Sequence, residues 1–178
     1  AVALTLVVVV AVTWLVFEKL RVSREYKSQE IVVYAYSSFI NSWGPGPAIA
    51  SEFETLYGAK VKLIDAGDSR LIPQKIELEG DNLSADVVLG LDQYSIDDAK
   101  KFKWRAINIE DSVNWNPDFP KASMDAHFVP FDWAPMTFIY RKGEIEPPKS
   151  LQDLKKPDYE KSFSVIDPRT STPGYQFL

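Results

Sequence analysis

Residues 167 to 174, Asp-Pro-Arg-Thr-Ser-Thr-Pro-Gly, follow an apolar run, Phe163 to Ile166, and open a predicted helix. Hydroxyls and free backbone N–H groups at a helix start face a bound anion or polar ligand. Four further clusters fall where predicted strands end. Tyr34-Ala35-Tyr36-Ser37-Ser38-Phe39, followed by Trp43-Gly44-Pro45-Gly46-Pro47, offers flat aromatic faces beside a Gly/Pro-fixed helix start. Tyr34 and Tyr36 share one face of a strand, and each serves equally well as a core aromatic, whereas Phe39 is expected in the core. Asp65-Ala66-Gly67-Asp68-Ser69 is a strand-to-helix turn whose carboxylate either meets a ligand or caps the next helix. Gly90-Leu91-Asp92 places a carboxylate after a buried strand, with helix capping as the alternative. Phe131-Asp132-Trp133 lies in an extended segment, where the aspartate suits either a ligand or a structural bond to backbone.

Enzyme chemistry finds little support. His127, the only histidine, excludes a two-histidine metal site, and no Gly-x-Ser-x-Gly elbow supplies a nucleophile for it to activate. It is expected at the surface. There is no Gly-x-Gly-x-x-Gly or Walker loop, and the carboxylates show no paired spacing. The absence of cysteine excludes disulfides, thiolate metal sites, thiol catalysis and a bacterial lipoprotein anchor, and suits an extracytoplasmic protein. The formal net charge of −5 disfavours nucleic acid and anionic membranes as partners and is compatible with a cationic ligand. A binding module, not an enzyme, is expected.

The elements that would position these clusters alternate. Strands are predicted at Ile31 to Tyr36, Val61 to Ile64, Ala85 to Leu89 and Phe163 to Ile166, from β-branched and aromatic runs. Helices are predicted after Pro47 (Ile49, Phe53, Leu56, Tyr57), from Asp68 (Leu71, Ile72, Ile76, Leu78), at Tyr94 to Phe102 and at Ser150 to Leu154. Residues 108 to 126 read as irregular and Phe128 to Tyr140 as extended, interrupted by Pro130 and Pro135. This alternation implies an α/β fold with a parallel, doubly wound sheet that binds ligands beyond the carboxyl ends of its strands. Ala1 to Phe17 is an uncharged apolar run, about 25 Å long as a helix at ~1.5 Å per residue. It is expected as a transmembrane anchor over residues 1–20, with a signal peptide as the alternative. The stop at Leu178, on the first turn of a helix, predicts a truncated fragment of a longer protein.

Four motifs in order carry a resemblance. Val33 to Phe39 with Trp43-Gly44-Pro45-Gly46-Pro47, Ala85 to Asp92, Phe128 to Asp132, and Asp167 to Gly174 are similar to the thiamine-binding periplasmic proteins of ABC transporters. The resemblance implies the type II periplasmic-binding-protein fold, two α/β lobes joined by crossing strands. Lobe 1 would occupy residues 30–130, and the crossing segment with an incomplete lobe 2 residues 131–178. By resemblance Tyr36 and Trp43 contact the thiamine rings, Asp68 and Ser69 supply an acidic-turn contact, and Ser171 and Thr172 meet the hydroxyethyl or phosphate end. Asp92, Asp132 and Trp133 complete the expected ligand-binding set. The chain departs from the family pattern at Ser69, where glycine is usual, and at Trp133-Ala134-Pro135, where aromatic-glycine-aromatic is usual.

The implied function is capture of thiamine or thiamine phosphate, as ligand and not cofactor, for an ABC transporter permease. The protein would be a monomer in the periplasm or at the extracellular face of the cytoplasmic membrane, held there by the N-terminal helix or secreted. A ferric-ion or polyamine receptor of the same fold, or a membrane-tethered sensor domain, are the alternatives.

Overall fold

The computed structural model describes residues 10–16, 26–27, 29–107, 115–118 and 126–178. Contacts divide the chain into two compact units, Ala1–Ile96 and Asp97–Leu178. The first is built on a three-stranded parallel sheet. Strand β1 (Glu30–Ala35) runs through Ile31, Val32, Val33 and Tyr34, residues whose branched or aromatic side chains suit a pleated surface. Val33, Tyr34 and Ala35 are buried. β1 lies centrally in the order β2-β1-β3, with β2 at Lys60–Asp65 and β3 at Val87–Val88. The register pairs Ile31 with Val61, Ala35 with Asp65, and Val33 with Val87.

A short helix α1 (Ser37–Ile40) and the longer α2 (Gly46–Tyr57) connect β1 to β2. Pro47 sits in the first turn of α2, where a missing N–H costs no hydrogen bond. Gly58 closes the helix in the left-handed region, its N–H donating to the Glu54 carbonyl at 2.8 Å. Helix α3 (Ile72–Glu79) carries the chain on to β3, tolerates Pro73 in its first turn, and buries Ile72 and Ile76, one turn apart. Tyr34, whose relative exposure is 3%, satisfies its hydroxyl by donating to Glu79 Oε2 at 2.7 Å and sharing a 2.9 Å bond with Ser84 Oγ. The Lys75 ammonium lies 5.0 Å from the Tyr34 ring centroid and pairs with Glu79 at 2.8 Å. These bonds hold the Glu79 carboxyl below its usual range, Lys75 contributing most and Tyr34 next. Asp86 extends the sheet before β3, its N–H donating to the Val32 carbonyl and its carboxylate accepting from the Val32 N–H, each at 2.9 Å.

The second unit contains one regular α-helix wholly within the described residues, α5 (Thr172–Phe177); α4 (Ile96–Ala99) straddles the boundary. Aromatic side chains organise the rest. Trp104 packs edge-on to Phe102 and Phe128 at centroid distances of 6.4 and 5.6 Å, and its indole N–H donates to the Ala99 carbonyl. Phe138, Phe163 and Phe177 form a triangle with centroids 5.9 to 6.3 Å apart. Ser150 and Asp153 form a reciprocal capping box on the 3-10 turns Leu151–Lys155, where a helix is expected from the sequence.

Phe163 to Ile166 is corrected from a strand to a segment without ladder pairing. A strand requires a partner, and here Phe163 instead joins the aromatic triangle while Val165 and Ile166 are exposed. Residues 10–16 are helical and exposed; the rest of the expected anchor lies outside the described residues. Among the described residues no helix is long and apolar enough to cross a membrane. Most of the irregular segment 108–126 also lies outside them.

Candidate ligand-binding site

The sheet order creates a switch point. From β1 the chain moves to one side to form β2, then crosses back to place β3 on the other side, so a crevice is expected beyond the carboxyl ends of β1 and β3. Tyr36 stands there, one residue past β1, with extended backbone (φ −69°, ψ 151°). Its ring lies against Gly90, just beyond β3, so closely that a Cβ on Gly90 would overlap Tyr36 Cδ1 and sit 2.8 Å from Cε1. Gly90 has φ +100°, a conformation that L side chains rarely adopt. Phe39 is buried behind Tyr36 at a centroid distance of 5.8 Å.

On the other flank of β1, the turn after β2 is tied directly to Ser37. Ser37 N–H donates to the Gly67 carbonyl at 3.0 Å, and Ser37 Oγ donates to Asp65 Oδ1 at 2.7 Å. The same Asp65 oxygen accepts from the Gly67 N–H at 2.8 Å. Asp68 follows, accepting from the Arg70 N–H at 3.1 Å and capping the 3-10 turn Ser69–Leu71. Asp92 accepts from the N–H groups of Tyr94 and Ser95 and from Ser95 Oγ at 2.6 Å. Both aspartates therefore do the capping work that their spacing allowed. That leaves each carboxylate tied to local backbone beyond a strand exit, Asp68 after β2 and Asp92 after β3. Trp43 is 75% exposed just before α2.

The structure thus gathers Tyr36, Asp68, Ser69 and Asp92 at the carboxyl edge of one sheet, with Trp43 on the loop leading into α2. Asp132 and Trp133 lie in the second unit in an unladdered extended segment, Trp133 half exposed. Ser171 and Thr172 lie at the start of α5; Ser171 does not cap the helix through its side chain, and Thr172 is buried. Arg169 is turned back on Asp167, contacting its carboxylate through Nε at 3.0 and 3.1 Å and Nη2 at 2.6 Å, which holds that carboxyl below its usual range. His127 is exposed, as expected. Among the described residues no cluster of three His, Cys, Asp or Glu side chains could hold a metal.

Sequence reasoning placed Ser37, Asp65 and Gly90 in the strand-end clusters but did not single them out within the site. Gly90 carried a signal, since a glycine within or directly after a strand pattern marks close backbone approach. The Ser37–Asp65 pair, 28 residues apart, carried none.

No family model matches the chain. It is 38% identical over 155 residues to the thiamine-binding periplasmic protein of Escherichia coli K12, covering 83% of this chain and 45% of that one. The chain is homologous to periplasmic thiamine-binding proteins. The protein of that name from Brucella abortus is 33% identical over 150 residues, with 84% of this chain and 44% of the relative covered. A solved periplasmic thiamin binding protein superposes with a TM-score of 0.70 at 36% identity, over 83% of this chain and 46% of that structure. The chain spans less than half the length of these relatives. The mixed α/β architecture with its parallel sheet is shared with the solved relative.

Proposed function

We propose that the full-length protein is an extracytoplasmic solute-binding protein that captures thiamine, and its phosphates, for delivery to an ABC importer. The observation carrying this reading is the Tyr36 ring seated against Gly90 at the switch point, in a chain homologous to thiamine-binding relatives. Thiamine is a cation with two aromatic rings. A cation over an aromatic face gains about 0.5 to 2 kcal/mol, and Tyr36 and Trp43 offer such faces beside the carboxylates of Asp68 and Asp92. By the resemblance, Asp132, Trp133, Ser171 and Thr172 are further ligand contacts, the two hydroxyls meeting the hydroxyethyl or phosphate end. The protein binds its ligand without converting it and docks as a monomer on the permease. The apolar run 1–17 directs it across the cytoplasmic membrane, and the periplasm is its working compartment.

Calorimetric titration of the full-length protein with thiamine and thiamine monophosphate tests the reading. One-to-one binding of either is expected. Indifference to both at millimolar concentration, with uptake of ferric ion or a polyamine, would leave only the fold in common with the thiamine-binding relatives.

A further inference from the structure

We infer that Asp65 is a positioning residue of the ligand site, acting as a shared acceptor that locks the exits of β1 and β2 to each other; this rests on the thiamine-binding reading above. One carboxylate oxygen accepts two bonds of different origin. The 2.8 Å bond from the Gly67 N–H is local, closing an Asx turn that fixes the backbone leading into Asp68 and Ser69. The 2.7 Å bond from Ser37 Oγ spans 28 residues and reaches the residue next to Tyr36. A third bond, Ser37 N–H to the Gly67 carbonyl at 3.0 Å, completes a closed ring of contacts between the two strand exits.

The consequence lies in what each end of this ring carries. Tyr36 precedes Ser37 directly, and Asp68 follows Gly67 directly, so the aromatic face and the acidic turn are each one residue from the lock. Asp65 is also the last residue of β2, paired in register with Ala35, so its own backbone is held by the sheet. A rigid acceptor therefore sets the spacing of two loops beyond the last inter-strand bond, from the Ala66 N–H to the Ala35 carbonyl at 2.9 Å. Asp65 is exposed and makes no contribution to the buried core, which separates this role from a packing one. Ligand sites lose affinity steeply when contacting groups are loosely held, because the ordering must then occur on binding.

The chemistry needed is an acceptor oxygen, not a charge. An amide oxygen at the same place can accept both bonds, whereas a methyl group can accept neither. In the full-length protein, Asp65→Ala should weaken thiamine binding roughly tenfold, Asp65→Asn should stay within roughly threefold of the unaltered protein, and thermal midpoints should be similar for all three. Ser37→Ala should weaken binding in the same direction, and its effect should largely vanish in an Asp65→Ala background, because both remove one lock. Unchanged binding in Asp65→Ala would overturn the inference. Equal losses in Asp65→Asn and Asp65→Ala would overturn it in favour of a direct charge contact with the ligand. Hydrogen exchange at the Gly67 and Ser37 amides gives a ligand-independent arm: it should accelerate in Asp65→Ala and be restored in Asp65→Asn. If the unaltered protein ignores thiamine while that exchange pattern holds, the lock stands and the ligand assignment falls; unaltered exchange sinks the lock itself.

Discussion

Replacing Gly90 with alanine probes the contact between the Tyr36 ring and the β3 exit. The added Cβ would overlap Tyr36 Cδ1 and lie 2.8 Å from Cε1, far inside ordinary contact, and it would be forced onto a residue at φ +100°. The backbone conformation alone costs about 1–3 kcal/mol for a residue with a Cβ. The steric overlap has two outcomes. If Tyr36 holds its place against Phe39, overpacking adds about 1–3 kcal/mol, giving a total of roughly 2–6 kcal/mol of lost stability. If the ring swings away, stability falls only by the backbone share, but the aromatic face leaves the site and binding falls instead. Denaturant unfolding and thiamine titration on the same sample separate the two, since the loss must appear in one or be divided between them. Tyr36→Ala introduced beside Gly90→Ala should relieve the steric share and leave the backbone share. A Gly90→Ala protein within about 0.5 kcal/mol of the original in stability, with undiminished thiamine affinity, would refute the placement of Tyr36 at the switch point.

Two further outcomes are expected. Trp43→Ala should weaken thiamine binding by about 1–3 kcal/mol, as loss of a recognition aromatic does, yet leave the unfolding midpoint almost unchanged because the side chain is 75% exposed; calorimetry beside thermal unfolding checks both halves. The Glu79 carboxyl is held below its ordinary 4.5 by Lys75 and Tyr34, so its contribution to stability is present above that value and lost as pH falls through the folded-state pKa. Glu79→Gln should flatten that acid-side loss in denaturant melts across the pH range, and an unaltered profile would show that the Tyr34 network does not couple to folding.

The sheet was legible because its signals are local. Ile31 to Tyr36 and Val61 to Ile64 carry enough β-branched and aromatic character to form strands whatever their surroundings, and both fall within a residue of β1 and β2. Gly44 to Pro47 and Gly58 mark the ends of α2 by backbone geometry that neighbours do not alter. Asp68 and Asp92 were legible as caps for the same reason. Tyr34 and Tyr36, by contrast, share a two-residue spacing but not a fate. Tyr34 stays inside β1 and sends its hydroxyl to Glu79 and Ser84, 45 and 50 residues away, whereas Tyr36 lies past the last ladder residue with its ring on Gly90. Those partners are fixed by topology, which the local pattern does not encode. Phe163 to Ile166 fails as a strand for a related reason: β character is a necessary condition, and a ladder neighbour is the sufficient one.

Placing β1 at the centre of the sheet has a kinetic consequence. It is synthesised before both of its neighbours, and Val32 meets its partner Asp86 only across 54 residues. At roughly 5–20 residues per second, about 3 to 11 s separate the emergence of the central strand from that of its second edge. Throughout that interval Val33, Tyr34 and Ala35, the most thoroughly buried stretch of the finished sheet, remain open to pairing with any extended chain they meet. Sheet closure must also bear the loop entropy of two sequential crossovers before β3 pairs with β1. The central strand therefore cannot complete its pairing until β3 has emerged.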